Sequence, residues 1–291
     1  MWILELGLGS IVYEFGGMPL ERQAGMIAEH GIRYVDVLAF GEYNPAFYSV
    51  EQQNRIAEAF HGAGIRASSV VTCAQGNIGA DDPEEREFAM EQMKRAGMLV
   101  KRLGGKQVLV GKGCGNIDFN LKRKDAFNNS MRFLREFSKW CLCENLLVTL
   151  ELEPEALHVC NSIQSVFEMI RAVDSENVFA NVDIGHLNIL REPPKALSLL
   201  QNKMIHMHIS DNCGLAHTNS VIGEGNCDVR SYVLACLEND IDRTAEAFGD
   251  IAVAGIEVGE PGEYITDSDY RVLRSVGNVC LRVPELRPKY L

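Results

Sequence analysis

The chain has 291 residues, of which 46% are hydrophobic and 23% are charged, a balance typical of a globular protein with a full core. Its formal net charge of −12 argues against a nucleic-acid partner, because an acidic surface repels phosphodiester backbones. No apolar run approaches the roughly 20 residues needed to cross a bilayer, so we expect no membrane segment. The dense basic cluster Lys122-Arg123-Lys124 is interpreted as a solvated helix face.

Cysteine usage indicates the compartment. The nine cysteines are scattered and form no Cys-x-x-Cys pair, which excludes zinc-ribbon and thioredoxin-type sites. An odd, scattered set suits a reducing environment. The amino terminus has an early acid, Glu5, and no basic segment typical of a secretion signal. We therefore expect a cytoplasmic protein.

Short apolar runs alternate with longer amphipathic segments along the chain. In chain order, the predicted strands and helices are strand Ile3–Leu8, helix Glu21–His30, strand Tyr34–Ala39, helix Val50–Ala63, strand Ala67–Thr72, helix Pro83–Leu103, strand Gln107–Val110, helix Asp125–Glu144, strand Leu147–Leu152, helix Ser162–Ala172, strand Phe179–Asp183, helix Ala196–Gln201, strand Ile205–Ile209, helix Val229–Ala247, strand Ala252–Val258 and helix Asp267–Ser275. Eight such units predict an α/β fold, a single (β/α)₈ TIM barrel domain over residues 1–291.

The main alternative fold is an open doubly wound sheet. That fold usually carries Gly-x-Gly-x-x-Gly after its first strand, and Gly7-Leu8-Gly9-Ser10 is only half of that motif. Local signals also mark helix ends: Asp82-Pro83 starts one helix, and Gly31, Gly64 and Asn145 end others.

In such a barrel, the residues that carry chemistry lie at the carboxyl ends of the strands. In the fifth predicted strand, Thr149, Glu151 and Glu153 share the face opposite Leu150 and Leu152. Buried carboxylates are unfavourable unless they are paired or bind a metal. Glu153 is expected at the mouth, and Glu151 one layer deeper. For Glu151 a structural role is at least as well favoured as a catalytic one.

The next three strands each end with polar residues. Asp183 ends the sixth strand and His186 follows it by three residues, which makes a plausible metal or substrate pair. Taken alone, a capping aspartate with a loop histidine is the commoner explanation of this pattern. His206 and His208 share one face of the seventh strand, with His208 nearer the mouth. Glu257 lies among apolar residues at the end of the eighth strand, whereas Glu260, just beyond it, is interpreted as a surface residue.

Taken together, four consecutive strand ends supply Glu153, Asp183, His208 and Glu257. Three carboxylates and one imidazole suit a fairly hard divalent cation, so Mn²⁺ is favoured, with Mg²⁺, Co²⁺ or Zn²⁺ as alternatives.

The order Glu…Asp-x-x-His…His-x-x-Asp…Glu, best defined between Leu147 and Val258, resembles the xylose-isomerase-like barrel superfamily of sugar phosphate isomerases and epimerases. That superfamily includes tagatose 3-epimerases, inosose dehydratase and, more distantly, endonuclease IV. The resemblance implies one metal ion on the four residues above and a substrate contact by His186. It also implies a loop after the seventh strand that ends in Gly223-Glu224-Gly225.

Two departures limit what the resemblance implies. Where many relatives carry Asp-x-His in that loop, this chain has His217-Thr218-Asn219, and the third and fourth strands supply no histidine. The three-zinc, AP-endonuclease-like nuclease is therefore disfavoured. The loop also lacks the paired arginines of tagatose-type epimerases, so that substrate is not carried over.

The resemblance favours a divalent-metal-dependent isomerase or epimerase that acts on a keto sugar or a derivative through an enediolate. Glu153 and Glu257 would then exchange the α-proton on opposite faces. His186, His217 and Glu151 are the expected substrate contacts. A lyase or dehydratase acting on a keto sugar or keto cyclitol, including 3-keto-glycoside cleavage, remains open. So does a non-catalytic partner subunit. A homo-oligomer, a dimer or tetramer, is expected from the resemblance, with a hetero-oligomer as the alternative.

Overall fold

The computed structural model describes residues 4–9, 13, 17–73, 76–118, 121–259 and 268–286. Eight parallel strands pair in chain order and close into a barrel, since the first strand also pairs with the last. The strands are β1 (Leu4–Gly9), β2 (Tyr34–Leu38), β3 (Arg66–Thr72), β4 (Gln107–Val110), β5 (Leu147–Leu150), β6 (Val178–Asp183), β7 (Met204–Ile209) and β8 (Ala252–Ile256). The predicted (β/α)₈ TIM barrel is confirmed.

Helices cover the outside of the barrel. The α-helices of the described part are α1 (Leu20–Glu29), α2 (Val50–Ala63), α3 (Pro83–Arg102), α4 (Arg123–Cys143), α5 (Ile163–Val173), α6 (Ile184–Leu190), α7 (Val229–Glu238), α8 (Ile241–Ala247) and α9 (Ser268–Arg282). Short 3₁₀ helices occupy Gly41–Tyr43, Pro45–Phe47, Lys112–Cys114, Pro194–Leu200 and Pro284–Leu286. No helix in these ranges is long and apolar enough to cross a membrane.

Several predicted helix ends are confirmed. The Asp82 side chain accepts a hydrogen bond from the Glu84 N–H and caps α3. Gly31, Gly64 and Asn145 adopt positive φ angles of 72°, 69° and 57°, which terminate the helices before them.

Two predicted helices were wrong in detail. The segment predicted as helix Ala196–Gln201 is a 3₁₀ helix after Pro193, while α6 starts directly after β6, where we expected a loop. The predicted helix Val229–Ala247 is divided into α7 and α8, because Asp240 turns the chain with a φ of 65°. Ile3 and Asp267, the predicted ends of two further elements, lie outside the described residues.

The main hydrophobic core lies between the strands and the surrounding helices. A separate small cluster joins Leu38, Val71 and Leu109, which are register partners on β2, β3 and β4. Leu38 is two residues beyond Asp36, so both side chains face the barrel interior. Near the mouth, the side of the barrel interior formed by β2 to β4 is therefore apolar, and the polar side chains of the other strand ends lie opposite it, on β5 to β8.

Candidate metal centre

The polar side of the barrel mouth brings the predicted residues of four strands together. Asp183 of β6 is the register partner of His208 of β7, which in turn pairs with Gly255 of β8. The His208 Nδ1 atom lies 3.4 Å from Glu257 Oε1. Glu153, at the β5 side, places Oε2 3.6 Å from His186 Nε2.

The two carboxylate oxygens of Asp183 have different surroundings: Oδ1 accepts hydrogen bonds within the fold, and Oδ2 faces the site. Oδ1 accepts hydrogen bonds from the Gly185 N–H (2.7 Å), the His186 N–H (3.3 Å) and the Ser210 hydroxyl (2.6 Å). Oδ2 has no hydrogen-bond partner in the described part of the chain. Asp183 thus caps α6, as the simpler interpretation held, and still directs one oxygen into the mouth.

Two histidines face that oxygen. His186 Nδ1 lies 2.7 Å from the Leu152 carbonyl, which can only accept, so Nδ1 carries the proton of the neutral ring and Nε2 is directed at the carboxylates. The His217 ring lies 4.4 Å from the His186 ring, centroid to centroid, at 70°. His217, reached by a long loop, therefore belongs to the same cluster.

Glu151 lies within the site rather than apart from it. Its Oε1 is 2.9 Å from His208 Nδ1 and accepts a hydrogen bond of 2.6 Å from the Asn181 amide. The side chain is buried. Glu151 therefore both supports His208 and adds a carboxylate, which is compatible with either of the two roles that the sequence left open.

Sequence reasoning missed Asp36, a buried acid of β2 that lies beside His206 and His208 on the side of their rings away from the mouth. Its Oδ1 accepts hydrogen bonds of 2.7 Å from both Ser68 and Ser69, because a register shift between β2 and β3 brings both hydroxyls to it. Oδ2 lies 3.1 Å from His206 Nε2 and 3.6 Å from His208 Nε2. The sequence signal that could have revealed Asp36 is an acidic residue between two apolar ones, Val35 and Val37, within a predicted strand.

Glycine at position 255 makes room for this acid. A Cβ atom there would lie 2.1 Å from Asp36 Oδ2. Asp36 thus crosses the barrel interior toward β8 and holds the rings of β7 from the side opposite the mouth.

Asp211, part of the motif that suggested the family, organises a loop instead of facing the cluster. Its Oδ1 accepts from the Asn212 and Cys227 N–H groups, and its Oδ2 from those of Gly223 and Gly225, at 2.7 to 3.1 Å. The Gly-Glu-Gly segment is therefore folded around this carboxylate, which fixes the loop that carries His217.

Burial and mutual charge set the protonation of the cluster. Burial, reinforced by neighbouring acids, raises the pKa of Glu153 to about 7 and that of Glu257 to about 8. Burial works against ionisation of Asp183 and His186 too, but their mutual attraction outweighs it. The pKa of Asp183 falls to about 2 and that of His186 rises to about 9.

The residues at the mouth fit a divalent cation. Asp183 Oδ2 and His186 Nε2 are buried and have no hydrogen-bond partner in the described chain, which is unfavourable unless a ligand occupies the space between them. Carboxylate oxygens and imidazole nitrogens are ligands for Mn²⁺, Co²⁺ or Zn²⁺. Glu260 lies outside the described residues.

A family model, described as xylose isomerase-like TIM barrel, matches residues 25–254. The chain belongs to this family. It is similar to fructoselysine 3-epimerase of Shigella flexneri, at 30% identity over 139 residues. That match covers 46% of this chain and 49% of the relative, so the chain matches about half the length of this curated protein.

Solved structures share the fold over nearly the whole chain. D-psicose 3-epimerase from Clostridium cellulolyticum H10, solved with D-tagatose, superposes with a TM-score of 0.79 at 18% identity and covers 98% of this chain and 100% of that one. The IOLI protein, solved with a zinc atom, has a TM-score of 0.79 at 16% identity and covers 98% and 99%. Identities this low establish the fold alone.

We predict that Asp211→Ala destabilises the protein by about 3 kcal/mol, because four backbone N–H groups lose a buried charged acceptor. Denaturant unfolding measures the change. The control is Asp228→Ala, which removes an exposed cap at the start of α7 and should cost about 1 kcal/mol. Equal losses for the two variants would show that Asp211 does not organise the loop.

We predict that Asp36→Asn lowers the affinity for Mn²⁺ by about 10- to 100-fold, because it removes the carboxylate that orients His206 and His208. Calorimetric titration of chelator-treated protein measures this, with circular dichroism to check the fold. Asp125→Asn, at an exposed acid in the first turn of α4, serves as the control. Unchanged affinity in Asp36→Asn would refute the orienting role.

We predict that the chelator-treated protein loses thermal stability as the pH rises from about 5 to 8. The pKa values of Glu153 and Glu257 are about 7 and 8, above the ordinary value of 4.5, so the folded state retains protons that the unfolded state releases in this window. If Mn²⁺ binds these carboxylates as we expect, it would replace those protons, and its stabilising effect should increase with pH. Scanning calorimetry at several pH values, with and without Mn²⁺, tests this; a pH-independent effect would contradict it.

Proposed function

We propose that this protein is a divalent-metal-dependent sugar isomerase or epimerase that acts on a keto sugar or a keto sugar derivative by removing and returning an α-proton. The observation that carries the proposal is the position of two carboxylates, Glu153 after β5 and Glu257 after β8, on either side of Asp183 and His208. Two acids placed across one substrate position can serve its two faces.

The metal would be held by Glu153, Asp183, His208 and Glu257. When bound, a divalent cation supplies Lewis acidity that polarises a substrate carbonyl and makes the neighbouring C–H group more acidic. Mn²⁺ is the favoured ion for this ligand set. Asp183, held through Oδ1 by Ser210, would keep its other oxygen in place without rearrangement.

We assign proton transfer to the two glutamates, Glu153 and Glu257. In the metal-free chain, burial raises the pKa of both carboxyl groups, to about 7 and about 8. A bound cation would lower both values, so each glutamate would act as a carboxylate that accepts the α-proton and returns it. Glu153, whose side chain is 20% exposed, lies nearer the opening than Glu257, whose side chain is 10% exposed. We assign abstraction on one face to one of them and return on the other face to its counterpart.

His186, His217 and Glu151 are the proposed substrate contacts. The two imidazoles would bind hydroxyl groups at the mouth, and His217, at 31% exposure, is the outermost. Opposite them, Leu38, Val71 and Leu109 would contact the carbon skeleton and exclude water. The curated relative, a fructoselysine 3-epimerase, supports a keto sugar derivative as the substrate class.

A lyase is the second candidate. His217 places another imidazole beside His186, where a β-substituent of the substrate would leave. The same α-proton removal would then lead to β-elimination from a keto sugar or keto cyclitol, including 3-keto-glycoside cleavage. NMR analysis of the products distinguishes the two reactions, because an epimerase yields an epimer and a lyase yields an eliminated fragment.

We further propose a cytoplasmic homo-oligomer, a dimer or tetramer, without a nucleic-acid or membrane partner. All nine cysteines are free, which supports a reducing compartment.

We predict that Glu153→Gln and Glu257→Gln each reduce proton exchange between a keto sugar and D₂O by about 10²- to 10⁴-fold, because the amide can no longer accept the α-proton. Proton NMR with a panel of ketohexoses and fructoselysine, on Mn²⁺-loaded protein, measures the rate. Circular dichroism verifies that each variant is folded.

The matched control is Glu155→Gln, two residues beyond Glu153, because the Glu155 side chain is 61% exposed at the rim. It should exchange protons at the wild-type rate. Wild-type exchange in either Glu153→Gln or Glu257→Gln would refute the two-glutamate mechanism. Absence of exchange in the wild-type protein with every keto sugar would favour a binding or partner subunit.

A further inference from the structure

A cavity of about 440 Å³ lies on the outside of the barrel, between α3 and α4. The two helices approach closely near their carboxyl ends, where a Cβ atom at Gly97 would lie 2.9 Å from the Trp140 ring. Nearer their amino ends, the loop after β3 packs against α4, because Asn129 Nδ2 donates to the carbonyls of Gly79 and Ala80 at 3.3 and 3.0 Å. The space left between these two contacts is large enough for a small molecule.

The floor of this cavity is apolar. Met90 of α3 and Phe133 of α4 line it and are only 8% and 5% exposed. Phe133 is the first of three stacked rings along α4: its centroid lies 6.3 Å from that of Phe137, which lies 5.8 Å from that of Trp140. An aromatic or large aliphatic group in the cavity would continue this row of apolar contacts.

The walls of the cavity carry charges of both signs. Lys94 and Arg132 supply two cations, and Glu87 and Glu136 supply two carboxylates. Within the described part of the chain, none of these four side chains forms an ion pair or a hydrogen bond. Both signs are therefore open to a ligand.

Other charged side chains of α3 do have partners. Arg86, at the end of the cavity nearest the loop after β3, donates to the Ala80 carbonyl at 2.5 Å. Arg95, one residue beyond Lys94, is paired with Glu91 one turn earlier. The unpaired charges of α3 and α4 that line the cavity thus contrast with paired charges beside them.

We propose that this cavity binds a free amino acid with an aromatic or large apolar side chain. Its carboxylate would contact Lys94 and Arg132, and its ammonium group would contact Glu87 and Glu136. Its side chain would lie over Phe133 and the rest of the apolar floor. A molecule with only one of the two charges would leave one pair of wall residues without a partner. The proposal is independent of the metal, the substrate and the reaction at the barrel mouth.

The probe is L-phenylalanine, added to chelator-treated protein so that no metal ion at the mouth can coordinate it. Calorimetric titration should give a dissociation constant of about 1 mM or lower. Phenylpropionate lacks the ammonium group and phenethylamine lacks the carboxylate, so each should bind at least about 10-fold more weakly.

Two variants test the walls of the cavity. Arg132→Gln and Glu136→Gln should each weaken the binding of L-phenylalanine by about 10-fold, because each removes one charged partner. The matched controls are Lys139→Gln on α4 and Glu84→Gln on α3, which change exposed charges outside the cavity and should keep the wild-type affinity. Circular dichroism verifies that each variant is folded.

NMR of labelled methionine methyl groups locates the ligand. The Met90 resonance should shift when L-phenylalanine is added, because Met90 lines the cavity. The Met204 resonance should stay unchanged, because Met204 is fully buried on β7.

Lack of L-phenylalanine binding at millimolar concentrations would overturn the proposal, as would equal affinity for phenylpropionate or phenethylamine. Wild-type affinity in either Arg132→Gln or Glu136→Gln, or an unshifted Met90 resonance, would place the ligand elsewhere and overturn it too. None of these results bears on proton exchange with keto sugars, so this inference and the proposed function stand or fall separately.

Discussion

The arrangement at the barrel mouth depends on how one buried carboxylate, Asp183, divides its two oxygens. Oδ1 ties the end of β6 to the first turn of α6 and to Ser210 after β7. Gly185 permits this closeness, because a Cβ atom there would lie 2.1 Å from the Ser210 hydroxyl. Oδ2 is thereby held toward His186 and His217 without a partner. The capping role and the proposed ligand role, which compete when the motif is considered alone, can therefore be divided between different atoms of the same side chain.

Near the mouth, the barrel interior has one polar wall and one apolar wall opposite it. Asp36 collects two serine hydroxyls and faces His206 and His208, so the histidine rings are held on the side away from the mouth as well as on the mouth side. Buried polar groups are stable only when they have hydrogen-bond partners, and Asp36 supplies such a partner to His206 Nε2 from a strand on the other side of the barrel. Substrate would thus meet a rigid charged wall and an apolar wall rather than a uniformly polar pocket.

The rim loops are held by backbone bonds rather than by apolar packing alone. The Val159 and Cys160 N–H groups donate to the carbonyls of Gly115 and Gly113, which joins the loops after β4 and β5. Gly113 is required there, because its φ is 51° and a Cβ atom would lie 2.5 Å from His158 Cβ. Together with the loop folded around Asp211, these contacts place His217 and Glu153 on supported rather than open segments.

The sequence by itself determined the barrel and the strand-end positions of the predicted residues, because alternation of apolar strands and amphipathic helices is a local property that repeats eight times. It did not determine the break at Asp240 or the start of α6, which depend on single turn and capping contacts. Nor did it reveal Asp36, because its partners lie 32 to 170 residues away and meet only when the barrel closes. Which oxygen or nitrogen of each side chain faces the mouth was decided by tertiary contacts alone, since these orientations follow from hydrogen bonds between different strands.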